Sequence, residues 1–274
     1  MRARRLSPRF DLAASAGRDG KIRTVETQRF LIDEHGPNAD AEREGVRWLL
    51  QFAIDHGHSQ AAVAVPAVRT IDALSRSLGD GAACALNRDR QMPVRAGVTL
   101  EVLLLSKPPF SYRGPVFVPW AADDVIGKVE DMRPAAICAI PWAETDLSVW
   151  RRSFALIDPR TGQTITAPQE LSPLINEALS ELTALINLSS GITHPSDKPK
   201  AVDYLKALRH GGETLDGDQI RAWAAAHGWA PRHAADLGEL ATKVASGVAV
   251  RGGRAKGKTP LNEHLARWRA ATHA

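Results

Sequence analysis

The sequence predicts an α/β protein with a Rossmann-like, mostly parallel sheet and flanking helices, followed by a small all-α C-terminal module. Its clearest sign is a repeat. Val118-Pro119-Trp120-Ala121 precedes Asp124 by the same spacing with which Ile140-Pro141-Trp142-Ala143 precedes Asp146. Each copy follows a short apolar run and opens a predicted helix, so the repeat indicates strand–turn–helix units and parallel neighbouring strands. Beyond residue 190, apolar residues recur only at helical spacing.

The strands of the α/β part are predicted from short apolar or alternating runs. A strand ends in Phe30–Ile32, and Pro37–His56 is an amphipathic helix with early acids and Gly57 after its end. Strands should also form at Ala61–Val65, Ala82–Leu86, Thr99–Leu105, Val116–Val118 and Ala135–Ile140. A β-hairpin should join Phe154–Asp158 to Gln163–Thr166.

The helices of the C-terminal half are predicted from helix caps and stripes. Ser172-Pro173 starts one helix, and Thr193–Pro199 has the composition of a linker. Helices should follow at Asp218–His227, with Asp216 as cap, at Ala234–Ser246, and after Thr259-Pro260. We therefore divide the chain into a flexible basic N-terminus (1–20), an α/β domain (21–190) and a helical basic module (191–274).

Composition bounds the class of protein. The chain has 274 residues, 44% of them hydrophobic, which is enough for a large core. The only cysteines, Cys84 and Cys138, are far apart and suggest free thiols in a reducing compartment. No stretch approaches the roughly 18–20 apolar residues of a membrane span. These features predict a cytoplasmic protein without a membrane partner.

The net charge of +4 is unevenly distributed. Residues 1–23 carry seven Lys/Arg against two acids, and residues 194–274 carry thirteen against eight. The body, 24–193, carries fifteen against twenty-one. Basic ends on an acidic body favour a polyanionic partner, DNA or RNA. The alternative is that the basic ends are simply solvated.

A ligand site is predicted at the carboxyl ends of the strands, where doubly wound sheets bind their ligands. Trp120 and Trp142 would flank one crevice there, and an indole face suits a base or a sugar. The carboxylates Asp123, Asp124 and Asp146 could contact the ligand. The competing interpretation is structural: such aspartates are good first-turn residues, and the tryptophans could pack between helices.

The sequence lacks the motifs of phosphate loops, catalytic nucleophiles and metal sites. No Gly-rich phosphate loop follows a strand, so a nucleotide would need helix N-termini for its phosphate. No serine-nucleophile motif or Cys/His pairing is legible, and Asp55-His56-Gly57-His58 is too small a set for a metal site. The sequence thus leaves open whether the chain is an enzyme, and it indicates neither a cofactor nor a metal.

One segment of the C-terminal module resembles a known family. Ile220–Gly228, read as Ile-Arg-Ala-Trp-Ala-Ala-Ala-His-Gly, is similar to the first helix of the DNA-binding domain in actinobacterial H-NS-like nucleoid proteins. Those proteins continue with an Arg-Gly-Arg that enters the minor groove, whereas this chain has Ala230-Pro-Arg232. The resemblance implies nucleic-acid contact through a helix pair. The candidate contacts are Arg221, Arg232, Arg251, Arg254, Lys256 and Lys258.

Together these features predict a nucleic-acid-associated accessory or regulatory protein whose α/β domain binds a ligand or partner. The first alternative is an enzyme acting on a nucleotide or phosphorylated small molecule at the strand ends. The second is a protein–protein adaptor without a small ligand. The charge distribution favours the nucleic-acid hypothesis, whereas the repeated Pro-Trp-Ala unit is equally compatible with the enzyme.

Overall fold

The computed structural model describes residues 26–166, 170–250 and 260–272. The predicted flexible N-terminus, 1–20, and four candidate nucleic-acid contacts, Arg251, Arg254, Lys256 and Lys258, lie outside these ranges. In the described part, an eight-stranded sheet is covered by helices on both faces, and five further helices surround a separate core.

The sheet confirms the predicted parallel architecture. Its strands are β1 (Gln28–Leu31), β2 (Gln60–Val65), β3 (Gln91–Pro93), β4 (Thr99–Leu104), β5 (Pro115–Ala121), β6 (Ala136–Pro141), β7 (Leu156–Ile157) and β8 (Thr164–Thr166). Their order is β3-β4-β2-β5-β6-β1-β7-β8, and the six inner strands are parallel. β5 and β6, which carry the repeat, pair in parallel with Val116 beside Ile137. Only the edge strands β3 and β8 are antiparallel, and β8 completes the predicted hairpin.

One face of the sheet is covered by α1 (Ala39–Asp55), α2 (Thr70–Ala73), α3 (Ser75–Leu78) and α4 (Asp80–Asp89). α1 begins after Asn38, whose side-chain oxygen accepts from the N–H groups of Asp40 and Ala41 at 3.0 and 3.2 Å. Gly45 brings this helix close to the sheet, because a Cβ there would overlap the ring of Phe117. The approach places the N-terminal turn of α1 beside the end of β5.

The opposite face is covered by α5 (Asp123–Asp131) and α6 (Ser148–Ser153). Ile126, Val129 and Trp150 from these helices pack with the outward residues of β5 and β6. Because both faces are covered, the central strands are apolar throughout rather than alternating, as in β2 and β6.

The helices change faces at two points of the sheet. Helices that follow β1 and β2 pack on one face, and those that follow β5 and β6 pack on the other. The chain therefore leaves in opposite directions from the adjacent strands β2 and β5, and again from β6 and β1. Such switch points create crevices at the carboxyl edge of a sheet. Trp120 and Trp142 lie at this edge.

The second core contains α7 (Pro173–Leu185), α8 (Asp197–His210), α9 (Gly217–Ala226), α10 (Pro231–Ala245) and α11 (Leu261–Thr272). The predicted caps are present: Ser172 accepts from Ile175 N, and Asp216 accepts from Asp218 N and Gln219 N. α7, assigned to the α/β part from the sequence, packs wholly in this core.

Local predictions failed in three places. Ala82–Leu86 is helical within α4 and not a strand, because a short apolar run does not distinguish the two and its alanines favour a helix. The edge strand β3 was not predicted, since Gln91–Pro93 lacks an apolar pattern. α8 starts at Asp197, inside the predicted linker.

Among the described helices, none has the length and apolar character that crossing a bilayer requires.

Candidate functional site

A β-bulge turns Trp120 toward α1. Between Val118 and Ala121, β5 contains one more residue than the paired stretch of β6. Pro119 has no N–H for the ladder, and Trp120 has a φ of +53°, in the left-handed region that non-glycine residues seldom occupy. The extra residue reverses the alternation of side chains, so Trp120 lies on the same face as Phe117.

Trp120 is held by a buried carboxylate. Its indole Nε1 donates to Glu42 Oε1 at 3.1 Å, and the other oxygen of Glu42 accepts from the hydroxyl of Ser77. Glu42 lies in the first turn of α1 and is 3% exposed. Both carboxylate oxygens therefore have a partner, as a buried charge requires. This cluster of three residues, the Glu42 clamp, ties β5, α1 and α3 together.

Trp142 is presented to solvent by a fixed backbone. Its N–H donates to the carbonyl of Ala121 at 3.1 Å, and its own carbonyl accepts from Gly36 N–H at 2.9 Å. The backbone of Trp142 is thus bonded to the last residue of β5 and to the segment that follows β1. Its side chain is 53% exposed. An exposed indole on a rigid backbone is a suitable stacking surface.

The two tryptophans meet at the carboxyl edge, as the sequence predicts. Their ring centroids are 6.4 Å apart and the planes form an angle of 81°. In this edge-to-face contact, Trp120 is the inner, half-buried ring and Trp142 the outer one. The repeat therefore gives two different environments, one structural and one accessible.

The aspartates of the repeat have separate roles. Asp124 is exposed in the first turn of α5, whereas Asp146 precedes α6 by two residues, and its Oδ2 accepts from Ala143 N at 2.8 Å. Asp123 begins α5, and its Oδ1 is buried without a hydrogen-bond partner among the described residues. Burial raises the pKa of Asp123, a shift that Arg221 opposes and Asp146 reinforces.

Other carboxylates at this edge already have arginine partners. Arg151 bonds Asp33 at 2.6 Å and lowers the pKa of that carboxyl, mainly through the hydrogen bond. Arg160 bonds Glu34 at 2.8 Å and Asp158 at 3.2 Å. These pairs connect the loop after β1 to α6 and to the β7–β8 hairpin, which are neighbours across the sheet edge.

The helix N-termini here disfavour an anion. Asn38 already occupies two N–H groups of α1, and the first turn of that helix contains Asp40 and Glu42. The first turn of α5 contains Asp123 and Asp124. Negative side chains at these positions repel a phosphate from the partial positive charge that would bind it. The edge is better suited to a neutral ring.

Within the ranges that the structure covers, no group of three or more His, Cys, Asp or Glu residues is placed to hold a metal ion.

The helix pair α9–α10 runs antiparallel along its length. Far from the turn, Gly217 and Gly238 approach so closely that a Cβ on either would lie within 2.6 Å of a backbone oxygen of the other. That contact is typical of an αα-hairpin, whereas helix-turn-helix pairs cross at about 90–120°. Ile220 and Trp223, in the segment that resembles the nucleoid proteins, are buried in the helical core.

The two described nucleic-acid candidates lie next to the α/β part. Arg221, on α9, lines a cleft that also contains Asp123. Arg232, at the start of α10, is exposed, and its Nε lies 3.2 Å from His233 Nε2. The positive charge of Arg232 opposes the rise in the pKa of Asp131, a rise caused mainly by burial. Both arginines are thus near acids of α5.

Sequence reasoning missed Glu42 and Ser77. One signal for Glu42 was available: it is three residues before Gly45 and seven before Leu49, on the buried stripe of α1. A glutamate on that stripe needs an internal partner. Ser77 had no comparable signal, because its contact with Glu42 depends on how α3 packs against α1.

Comparison with known proteins covers the helical part only. Residues 171–269 match the family model of a domain of unknown function, DUF1889. The match begins two residues before α7 and ends within α11, so it coincides with the helices of the second core. Searches of curated proteins and of solved structures found no match.

Proposed function

We propose that the α/β part binds a small ligand through a flat, uncharged ring, a nucleobase or a sugar, laid on the indole of Trp142. The observation that carries this proposal is the 53% exposure of Trp142 at a switch point of the sheet, on a backbone bonded from both sides. Ligands of open α/β sheets bind at such points. An aromatic face stabilises a stacked base by roughly 1–3 kcal/mol.

The Glu42 clamp supports the same proposal. Trp120 has a strained backbone, and strain of this kind is concentrated at functional sites. Its N–H bond to Glu42 fixes the inner ring, and the edge-to-face contact then positions the outer ring. A stacking surface that is already ordered loses less entropy when a ligand binds.

Charge favours a binding role over the enzyme alternative. An enzyme for a nucleotide or a phosphorylated small molecule would hold phosphate at this edge. The acids in the first turns of α1 and α5 oppose that placement. An uncharged nucleoside or sugar avoids the repulsion.

Isothermal titration with adenosine, guanosine, cytidine, uridine and glucose tests the proposal. At least one should bind saturably, and Trp142→Ala should abolish that binding while the far-UV circular dichroism stays unchanged. Phe110→Ala is the matched control, because Phe110 is 97% exposed and outside the tryptophan pair. If none binds, or if both variants lose binding equally, the Trp142 site is refuted and the adaptor alternative gains support.

A second function, contact with DNA or RNA, is favoured by the charge distribution. Residues 194–274 carry thirteen Lys/Arg against eight acids. Four of these cations, Arg251, Arg254, Lys256 and Lys258, stand in a stretch of eight residues without an acid. Because no base-reading motif accompanies them, we propose contacts to phosphates that are independent of sequence.

A further inference from the structure

A cleft of about 830 Å³ separates the α/β part from the helical part. One wall is formed by α5 and α6, and the other by α9 and α10. The walls approach at Gly127, where a Cβ would lie 3.1 Å from Pro231 Cβ, and Arg152 bonds Asp218 at 3.4 Å across the boundary. This volume is in the range of small-molecule sites.

Charges of opposite sign line the two walls. Asp123 lies at the start of α5, and Arg221 lies on α9 opposite, near enough for its charge to oppose the raised pKa of Asp123. Among the described residues, Asp123 and Arg221 form no ion pair within 4.0 Å, although both line the same cleft. A carboxylate and a guanidinium thus line opposite walls of the cleft without direct contact.

Several other polar groups of the cleft already bond to one another. Arg29 bonds Glu130 at 2.8 Å and lies 3.8 Å from the ring centroid of Phe154, and Trp150 Nε1 donates to Glu130 at 2.7 Å. Asp131 is exposed. Asp123 and Arg221 are the opposite charges that stand on opposite walls of the cleft without an ion pair between them.

From this arrangement we infer that the cleft binds a free amino acid with an apolar side chain. Its ammonium group would donate to Asp123, and its carboxylate would accept from Arg221. A free amino acid carries both charges on one α-carbon, and each would meet an opposite charge in a site where unpaired charges are costly. The side chain would lie on the apolar lining that Ile126, Val149 and Ala225 provide.

The proposal is tested by isothermal titration with L-phenylalanine, N-acetyl-L-phenylalanine and L-phenylalaninamide. Phenylalanine should bind, and each analogue should bind at least roughly tenfold more weakly because it lacks one of the two charges. Asp123→Asn should weaken phenylalanine binding by roughly tenfold and reduce the difference in affinity between phenylalanine and its N-acetyl analogue. Arg221→Gln should reduce the difference in affinity between phenylalanine and the amide.

Controls separate this site from the others. Asp131→Asn changes a carboxylate of the same cleft and should leave affinity within about twofold, as should Trp142→Ala. Asn and Gln are close in shape to the residues they replace, and circular dichroism verifies the fold of each variant. The inference fails if phenylalanine does not bind saturably, if both analogues bind as well, or if Asp131→Asn weakens binding as much as Asp123→Asn.

Discussion

Trp120 and Trp142 meet edge to face with centroids 6.4 Å apart, although 22 residues separate them in the chain. The contact results from two properties of the repeat. Parallel pairing of β5 and β6 brings both carboxyl ends to one edge, and the bulge at Pro119–Trp120 places the first ring on the α1 side, where it contacts the second. The proposed stacking surface therefore depends on the packing beneath it.

The Glu42 clamp should contribute measurably to stability. Glu42→Ala leaves the N–H of Trp120 and the hydroxyl of Ser77 without their acceptor, so we expect a loss of about 2–3 kcal/mol in the free energy of unfolding. Glu42→Gln keeps one acceptor oxygen and a partner for the hydroxyl, and should cost less than about half as much. Urea denaturation followed by circular dichroism measures both. Equal stability of wild type and Glu42→Ala would contradict the clamp.

Gly45 should not tolerate a side chain. In Gly45→Ala, the new methyl overlaps the ring of Phe117, so we expect a loss of about 1–3 kcal/mol despite the better helix propensity of alanine. Gly81→Ala, in α4, is the matched control because nothing lies within 4 Å of its Cβ. That variant should gain up to roughly 1 kcal/mol. A stabilising Gly45→Ala would show that α1 lies farther from β5.

Asp123 should make stability depend on pH. Its pKa is raised in the folded state, mainly by burial, so its protonated form is favoured there. The stability that this provides is complete below the unfolded pKa of about 3.9 and is lost as pH rises through the folded value. Asp123→Asn should match wild type near pH 3 and be more stable at pH 7, by no more than about 1 kcal/mol because Asp123 is partly solvated. Melting curves at both pH values measure this.

Asp131→Asn is the control for that experiment. Partial burial also raises the pKa of Asp131, but Asp131 is more exposed than Asp123, so the difference from wild type should be smaller. If Asp131→Asn had the larger effect, Asp131 and not Asp123 would be the more strongly desolvated carboxylate of α5.

The sequence predicted the elements whose signals are local and repeated. Parallel β5 and β6 follow from the duplicated unit, and the caps Ser172 and Asp216 follow from residue type and spacing. The common edge of Trp120 and Trp142 then follows from topology alone, since parallel strands end on the same side.

Features that depend on tertiary packing could not be predicted. The bulge that separates the environments of Trp120 and Trp142 depends on pairing with β6. The Glu42 clamp joins residues 35 and 78 positions away from Glu42, and the cleft joins Asp123 to Arg221, almost 100 residues later. Ala82–Leu86 shows the same limit on a smaller scale, because an apolar run of five is compatible with both a helix and a strand.

Nucleic-acid binding, if it uses the C-terminal cations, should be independent of sequence and steeply dependent on salt. Each phosphate contact releases counterions, so replacing Arg251, Arg254, Lys256 and Lys258 by alanine should weaken binding on every sequence alike and flatten the salt slope by up to about 4. Fluorescence anisotropy with labelled duplex DNA and single-stranded RNA, from about 50 to 200 mM salt, measures the slope.

The control for net charge replaces four exposed arginines of the α/β part, Arg43, Arg47, Arg76 and Arg88. An equal loss in both variants would indicate a general charge effect. Absence of binding at about 50 mM salt would remove nucleic acid as a partner.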